Sequence, residues 1–132
     1  IDLTAQAISS TAGDVVQAIT VPANTKIIAA GFQVVASATM NTGTNATATL
    51  GTVDADEYVT AFDIDGAADG AYAPSVTVSA DLVSATADTL DLTFAGDGAT
   101  YSAGKLRVYA VMMDVSEQGD TAANEVDRDT LA

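Results

Sequence analysis

The sequence predicts an all-β chain, a single-domain β-sandwich of jelly-roll-like type with an extended acidic C-terminal arm. Three observations carry this expectation. Apolar and polar residues alternate with period two in several short runs, Thr and Val are abundant within those runs, and clusters of Gly, Asn, Asp, Pro and Ser separate them. Periodicity assigns the class more firmly than the strand order, so the jelly roll is the preferred topology rather than a derived one. The 132 residues suit one ordinary domain, expected over residues 1–115 with the arm over 116–132.

The elements follow in order along the chain. Residues 1–8 place Ile1, Leu3, Ala5 and Ala7 on one side and Asp2, Thr4, Gln6 and Ile8 on the other, the pattern of a half-buried or edge strand. A turn over 9–14 leads to a strand over 15–21. That strand stops at Val21-Pro22-Ala23-Asn24-Thr25, where Pro removes a ladder donor and Asn tolerates turn geometry. Residues 26–38 form a long apolar strand in which Gly31 marks a bulge or a close approach. The loop Met40-Asn41-Thr42-Gly43-Thr44-Asn45 precedes a short strand over 47–53. Residues 54–74, rich in Ala, Asp and Gly, read as a long connection with a short helical turn near 56–62. Three more strands are expected, over 75–80, 88–96 and 105–115. Leu90, Leu92 and Phe94 alternate with Asp91 and Thr93, whereas 105–115 is almost continuously apolar after Arg107 and so reads as central in its sheet. From Ser116 the apolar pattern ends, leaving Val126 and Leu131 among charged residues, which cannot fold independently and can be ordered by lying on a neighbouring subunit. No repeat of solenoid or propeller length is present.

Composition narrows the possible functions. Hydrophobic residues are 48% of the chain, yet most are Ala and Val, aromatics are 5% and Trp is absent, so the core is built from small side chains and gains from oligomerisation. Four basic residues face eighteen acidic ones, for a formal charge of −14. Nucleic-acid binding needs clustered Lys and Arg, and none are adjacent here, so neither nucleic acid nor an anionic membrane is an expected partner. The acidity itself is read as a solubility device. There is no Cys and no His, which removes disulfides, thiolate metal sites and Ser/His or Cys/His nucleophiles. No apolar run approaches the roughly 18–20 residues that span a bilayer, and no signal-peptide pattern is visible. The first residue is Ile1 rather than Met, as expected of a processed or partial version of a longer product.

Candidate sites are few. Asp54, Asp56, Glu57, Asp63, Asp65 and Asp69 crowd the central connection, and oxygen-rich loops of this kind hold calcium, with Asp63, Asp65 and Asp69 as the candidate ligands. The EF-hand template fails, because Ala67 replaces the third ligand, Ala68 the invariant Gly and Pro74 the bidentate Glu, so an ordinary solvated acidic loop is the preferred reading and no metal or other cofactor is expected. Carboxylate pairs for glycoside hydrolysis are too numerous to be diagnostic and lack aromatic sugar platforms. No phosphate-binding glycine loop occurs, and Lys26 and Lys105 lie in no Ser-Lys motif, so no catalytic residue is expected. Asn45-Ala46-Thr47 matches a glycosylation acceptor but reads as loop. Lys105 and Arg107 point to one face and pair with carboxylates of the same or another subunit. Tyr58, Phe62, Tyr72, Tyr101 and Tyr109 serve as core or as interface anchors.

Three stretches carry a family resemblance. They are residues 19–31 (ITVPANTKIIAAG), residues 46–52 (ATATLGT), and residues 89–94 (TLDLTF) with 103–111 (AGKLRVYAV). Together with Asp69-Gly70-Ala71-Tyr72-Ala73, these resemble the small capsid decoration, or cement, proteins of tailed double-stranded DNA phages, including marine and cyanobacterial ones. The likeness covers roughly residues 15–115; the acidic excess of 54–69 and the arm after Val115 have no counterpart in it. The resemblance implies a virion structural protein on the outer capsid surface. It implies a β-sandwich, commonly trimeric, seated where major capsid protein subunits meet and clamping them after expansion. Residues 1–8 and 116–132 are the expected arms that add to a neighbour, the first by sheet-edge pairing. The expected interface residues are Ile1, Leu3, Tyr58, Phe62, Tyr72, Tyr101, Lys105, Arg107, Val126 and Leu131. The alternative is a receptor- or carbohydrate-binding β-domain of a phage fibre or bacterial surface structure.

Overall fold

Period-two sequences rich in Val and Thr form strands here. In a computed structural model describing residues 1–5, 8–10, 13–73, 83–98 and 100–116, seven strands and no helix are present. They are β1 (Val15–Val21), β2 (Thr25–Met40), β3 (Ala46–Gly51), β4 (Val59–Asp63), β5 (Val83–Ser84), β6 (Asp88–Gly96) and β7 (Tyr101–Asp114). One sheet has the order β1-β6-β3-β4 and the other β5-β2-β7, with every pairing antiparallel. The two sheets face each other across one core, which makes the chain a β-sandwich. Successive strands switch sheet at every step except β3 to β4, an alternation shared with jelly rolls, although the described strands divide four and three rather than four and four.

Alternation explains the core. Leu90, Leu92 and Phe94 of β6 and Ala46, Ala48 and Leu50 of β3 point inward and are fully buried. Opposite them lie Ile27, Ala30, Phe32, Val34 and Ala38 of β2 and Leu106 of β7. The inward position on β2 moves from Ile27 to Ala30 because the register shifts between Ile27 and Ala29, a bulge that resets which face each residue takes. With so many alanines in the layer, aromatic pairs bridge the sheets. Phe94 meets Tyr101 edge-on at 5.9 Å, and Phe62 meets Phe32 at 5.8 Å and 84°. Each such pair adds about 0.5–1.5 kcal/mol beyond area burial.

Several local expectations are corrected. Residues 1–5 are not a regular strand. Asp2 makes an isolated bridge to Lys105, and its carboxylate then accepts from the Thr4 amide (3.0 Å) and hydroxyl (2.7 Å), closing a turn that competes with strand pairing. The turn lets Leu3 and Ile8, of opposite parity, enter the same core. The helical turn expected near 56–62 is instead β4, which pairs with β3 and buries Val59. The strand expected over 105–115 begins at Tyr101 and flanks β2 instead of lying centrally among the described strands. The strand expected over 75–80 lies outside the described residues. Of the two roles expected for Gly31, close approach is the one found: a Cβ there would stand 2.5 Å from the Tyr109 hydroxyl oxygen. Asn24, at φ 56°, takes the left-handed turn conformation that ends β1 and opens β2.

Candidate interaction surface

Both sheets turn an outer face to solvent, and the two faces differ in chemistry. On the four-stranded sheet, outward positions carry Thr47 and Thr49 from β3, Thr89, Asp91 and Thr93 from β6, and Val15, Gln17 and Thr20 from β1; register places Thr49 beside Thr93 and Gln17 beside Asp91, and Val15, 53% exposed at the end of β1, is the one large apolar side chain among them. None of its four strands contains a Lys or Arg. The three-stranded sheet instead presents Ile28 and Val35 from β2 and Tyr109, Val111 and Met113 from β7, with Tyr72 beside Gln33. Tyr72 is 61% exposed, and Val111 and Ile28 are each 53% exposed. Tyr109 lies over Gly31 and packs edge-on against Tyr72 at 6.3 Å, so the absent side chain at Gly31 makes the recess that holds an aromatic pair at the surface. All three described basic residues, Lys26, Lys105 and Arg107, belong to this sheet.

Lys105 and Arg107 occupy one face of β7, as their spacing predicts. Lys105 pairs with Asp2 at 3.6 Å, both side chains well exposed, and Arg107 donates to the Gln33 side-chain oxygen at 3.4 Å. Hydrogen bonds from Thr4, and secondarily Lys105, hold the Asp2 carboxyl below its ordinary value. An open groove of about 470 Å³ lies where β1 and β7 approach each other, floored by Ile19, Leu106 and Val108 and flanked by Ile1, Lys105 and Arg107. The Ile1 ammonium donates to the Leu106 carbonyl at 2.8 Å, and the Leu106 amide donates back to the Ile1 carbonyl at 3.0 Å.

Not every expected interface residue is available to a partner. Leu3, Tyr58 and Tyr101 are buried in the core of the chain itself, and Phe62 is half-buried against Phe32. Tyr can satisfy either role, and sequence spacing does not separate them. Ile1, Tyr72, Lys105 and Arg107 are at the surface, while Val126 and Leu131 lie outside the described residues. Ile28, Val35, Val111 and Met113 were not anticipated as surface groups. The signal was the odd-numbered parity of Val111 and Met113 with Lys105 and Arg107, hidden by the apolar residues on both faces of β7.

The acidic residues of the central connection serve as turn staples. Asp63 Oδ1 accepts from the Gly66 amide (2.7 Å), Asp65 Oδ1 from Ala46 (2.8 Å) and Asp69 Oδ1 from Ser37 (2.7 Å). Elsewhere Asp97 Oδ1 accepts from Thr44 and Asn45, and Asp14 from Ser9. The three calcium candidates are thus directed to three different backbone amides, and no group of three or more acidic side chains disposed to hold a metal occurs among the described residues. The Gly66 amide holds the Asp63 carboxyl below the usual range, and the Ser116 amide does the same for Asp114. In the core, burial pushes the Tyr101 hydroxyl up to about 12, with the adjacent Ser10 side chain opposing the shift. Ser10 donates its hydroxyl to the Gly98 carbonyl at 2.8 Å. Comparison with family models, with curated proteins and with solved structures finds no match to this chain.

Proposed function

We propose that this protein is a virion structural component, a decoration protein that stabilises the outer surface of a tailed-phage capsid by seating between major capsid protein subunits. The observation that carries the reading is the chemical inequality of the two outer faces. A clamp on a shell needs one face that gains from being covered and one that stays wetted. Ile28, Tyr72, Tyr109, Val111 and Met113 supply the first, and the Thr- and Asp-bearing sheet supplies the second. The sequence resemblance of residues 15–115 to decoration proteins supports the same reading, and assembly as a homotrimer on the shell is part of the proposal. Many identical modest contacts on one lattice sum to firm attachment, so no single interface has to be large.

The test is co-sedimentation of the purified protein with capsids that lack it. Saturable uptake at a fixed ratio to the major capsid protein is the expected result, and loss of uptake on Tyr109→Asp in a folded variant locates it on the apolar face. The exposed Tyr72–Tyr109 pair also suits a second reading, a receptor- or carbohydrate-binding β-domain, since paired tyrosines offer a platform for a sugar ring. Glycan binding without capsid uptake would establish that reading instead.

A further inference from the structure

The inward stripe of β6 ends in a carboxylate instead of a hydrocarbon. Leu90, Leu92 and Phe94 fill the core, and the next position of the same parity is Asp88, paired across to the fully buried Val21. β2 does likewise in the facing sheet. Thr25 shares the inward parity of Ile27, is 4% exposed, and its hydroxyl makes no hydrogen bond among the described residues. Between the two strands, at the end of the sandwich where β1 turns into β2, lies a cavity of about 60 Å³. Asp88 and Thr25 line it together with Glu57 and the buried Tyr58 of the β3–β4 connection and Ser84 of β5. No Lys or Arg stands among the described residues that line it.

Both carboxylates are held with an oxygen to spare. Glu57 Oε2 accepts from the Thr52 amide (3.0 Å) and hydroxyl, and Asp88 Oδ1 accepts from the Thr89 amide at 2.8 Å. Glu57 Oε1 and Asp88 Oδ2 have no partner among the described residues. Burial, and after it the Glu57 charge, raises the Tyr58 hydroxyl above its ordinary value against the Thr52 side chain, which places that carboxylate beside the phenol. Water alone would fill the volume and leave two negative charges unbalanced; a cation offsets both. We propose that this cavity is a calcium site, with Glu57 and Asp88 balancing the ion and the Thr25 hydroxyl and water completing its shell. Oxygen donors without nitrogen or sulfur favour a hard cation over zinc, and calcium accepts an irregular oxygen set where magnesium demands an octahedron. The ion joins the two sheets at one end of the sandwich, since Thr25 belongs to one sheet and Asp88 to the other. The sequence pointed for calcium to Asp63, Asp65 and Asp69, none of which lines this cavity. Two carboxylates are fewer than tight calcium loops supply, so a dissociation constant of about 0.1–1 mM is expected. The inference stands apart from the capsid reading, because it concerns the folded chain alone.

The test titrates calcium chloride into the full chain, first stripped with a chelator, at constant ionic strength, with calorimetry and thermal melting as readouts. Saturable one-to-one binding and a rising melting temperature are expected, with magnesium giving the smaller rise. Asp88→Asn and Glu57→Gln are each expected to weaken calcium binding at least tenfold. Asp69→Asn removes the same charge from a turn outside the cavity and is expected to leave binding unchanged. Thr25→Val keeps both carboxylates and is expected to weaken binding several-fold, so it carries the comparison if a charge variant fails to fold. Equal calcium responses in the wild type and all four variants would be screening of an acidic surface and would overturn the inference. So would loss of binding in Asp69→Asn alone, or no binding at calcium about tenfold above the expected range.

Discussion

The two outer faces of the sandwich arise from the same alternation rule and end with opposite chemistry. Around β6 the inward set is Leu90, Leu92 and Phe94, and the outward set is Thr89, Asp91 and Thr93, so burial and polarity agree. Around β7 the inward set is Leu106, Val108, Ala110 and Met112, but the outward set is mixed, with Lys105 and Arg107 followed by Tyr109, Val111 and Met113. A strand that is apolar on both sides is either covered on both sides within its own fold or waiting for a surface to cover it. Here the solvent-facing side chains of β7 are exposed, which makes the three-stranded sheet the informative one.

The contrast can be broken or sharpened by substitution. The largest effect is expected inside, where both faces share one core. Phe32→Ala removes a fully buried ring and its edge contact with Phe62 and should cost about 3–5 kcal/mol in denaturant unfolding. Thr49→Ala on the opposite sheet removes a buried hydroxyl oxygen that has no partner among the described residues and should leave the protein as stable or more stable by up to about 1 kcal/mol. Next comes capsid uptake. Val111→Asp is expected to reduce it at least tenfold, about 1.4 kcal/mol, with an unchanged melting curve, whereas Thr93→Asp on the other face leaves uptake as it was. Equal losses from both faces would remove the argument for one-sided attachment.

Smaller effects come from titration. Tyr101 is held neutral in the fold up to about 12, whereas its unfolded counterpart ionises near the ordinary value of 10. Its contribution is therefore complete below pH 10 and is lost as pH climbs from there towards 12. Tyr101→Phe should flatten that alkaline decline. Thermal melts across pH 8–12 would check both expectations, and no change in the alkaline limb would refute them. The least effect belongs to Asp63 and Asp114, whose folded carboxyls titrate below 3.8. The stability they give is present above 3.8 and fades as pH falls through their lower folded values. Asp63→Asn should slightly shallow the acid limb of the same melts.

Much of the fold was legible in the sequence because strands announce themselves by parity. β1 and β6 coincide with their predicted bounds, and β2 differs by a residue or two at its ends. The failures share a physical cause, that parity is blind to hydrogen-bonding side chains and to partners distant in sequence. Asp2 bends residues 2–5 out of strand form through two bonds from Thr4. β4 owes its strand form to β3, and nothing in Val59-Thr60-Ala61-Phe62-Asp63 alone separates it from a turn of helix. At the surface, the shared face of Lys105 and Arg107 followed directly from their spacing. The inward fate of Leu3, Tyr58 and Tyr101 did not, because a tyrosine suits a core as well as an interface.

The staples formed by Asp14, Asp63, Asp65, Asp69 and Asp97 draw on the oxygen of each side chain as acceptor, and a neutral amide oxygen can occupy the same position. Scaffold and electric field are therefore separable in this molecule. Asparagines at those five places would leave the turns closed while removing five negative charges, yielding a near-isomorphous sandwich in which the influence of bulk acidity on assembly can be read apart from shape.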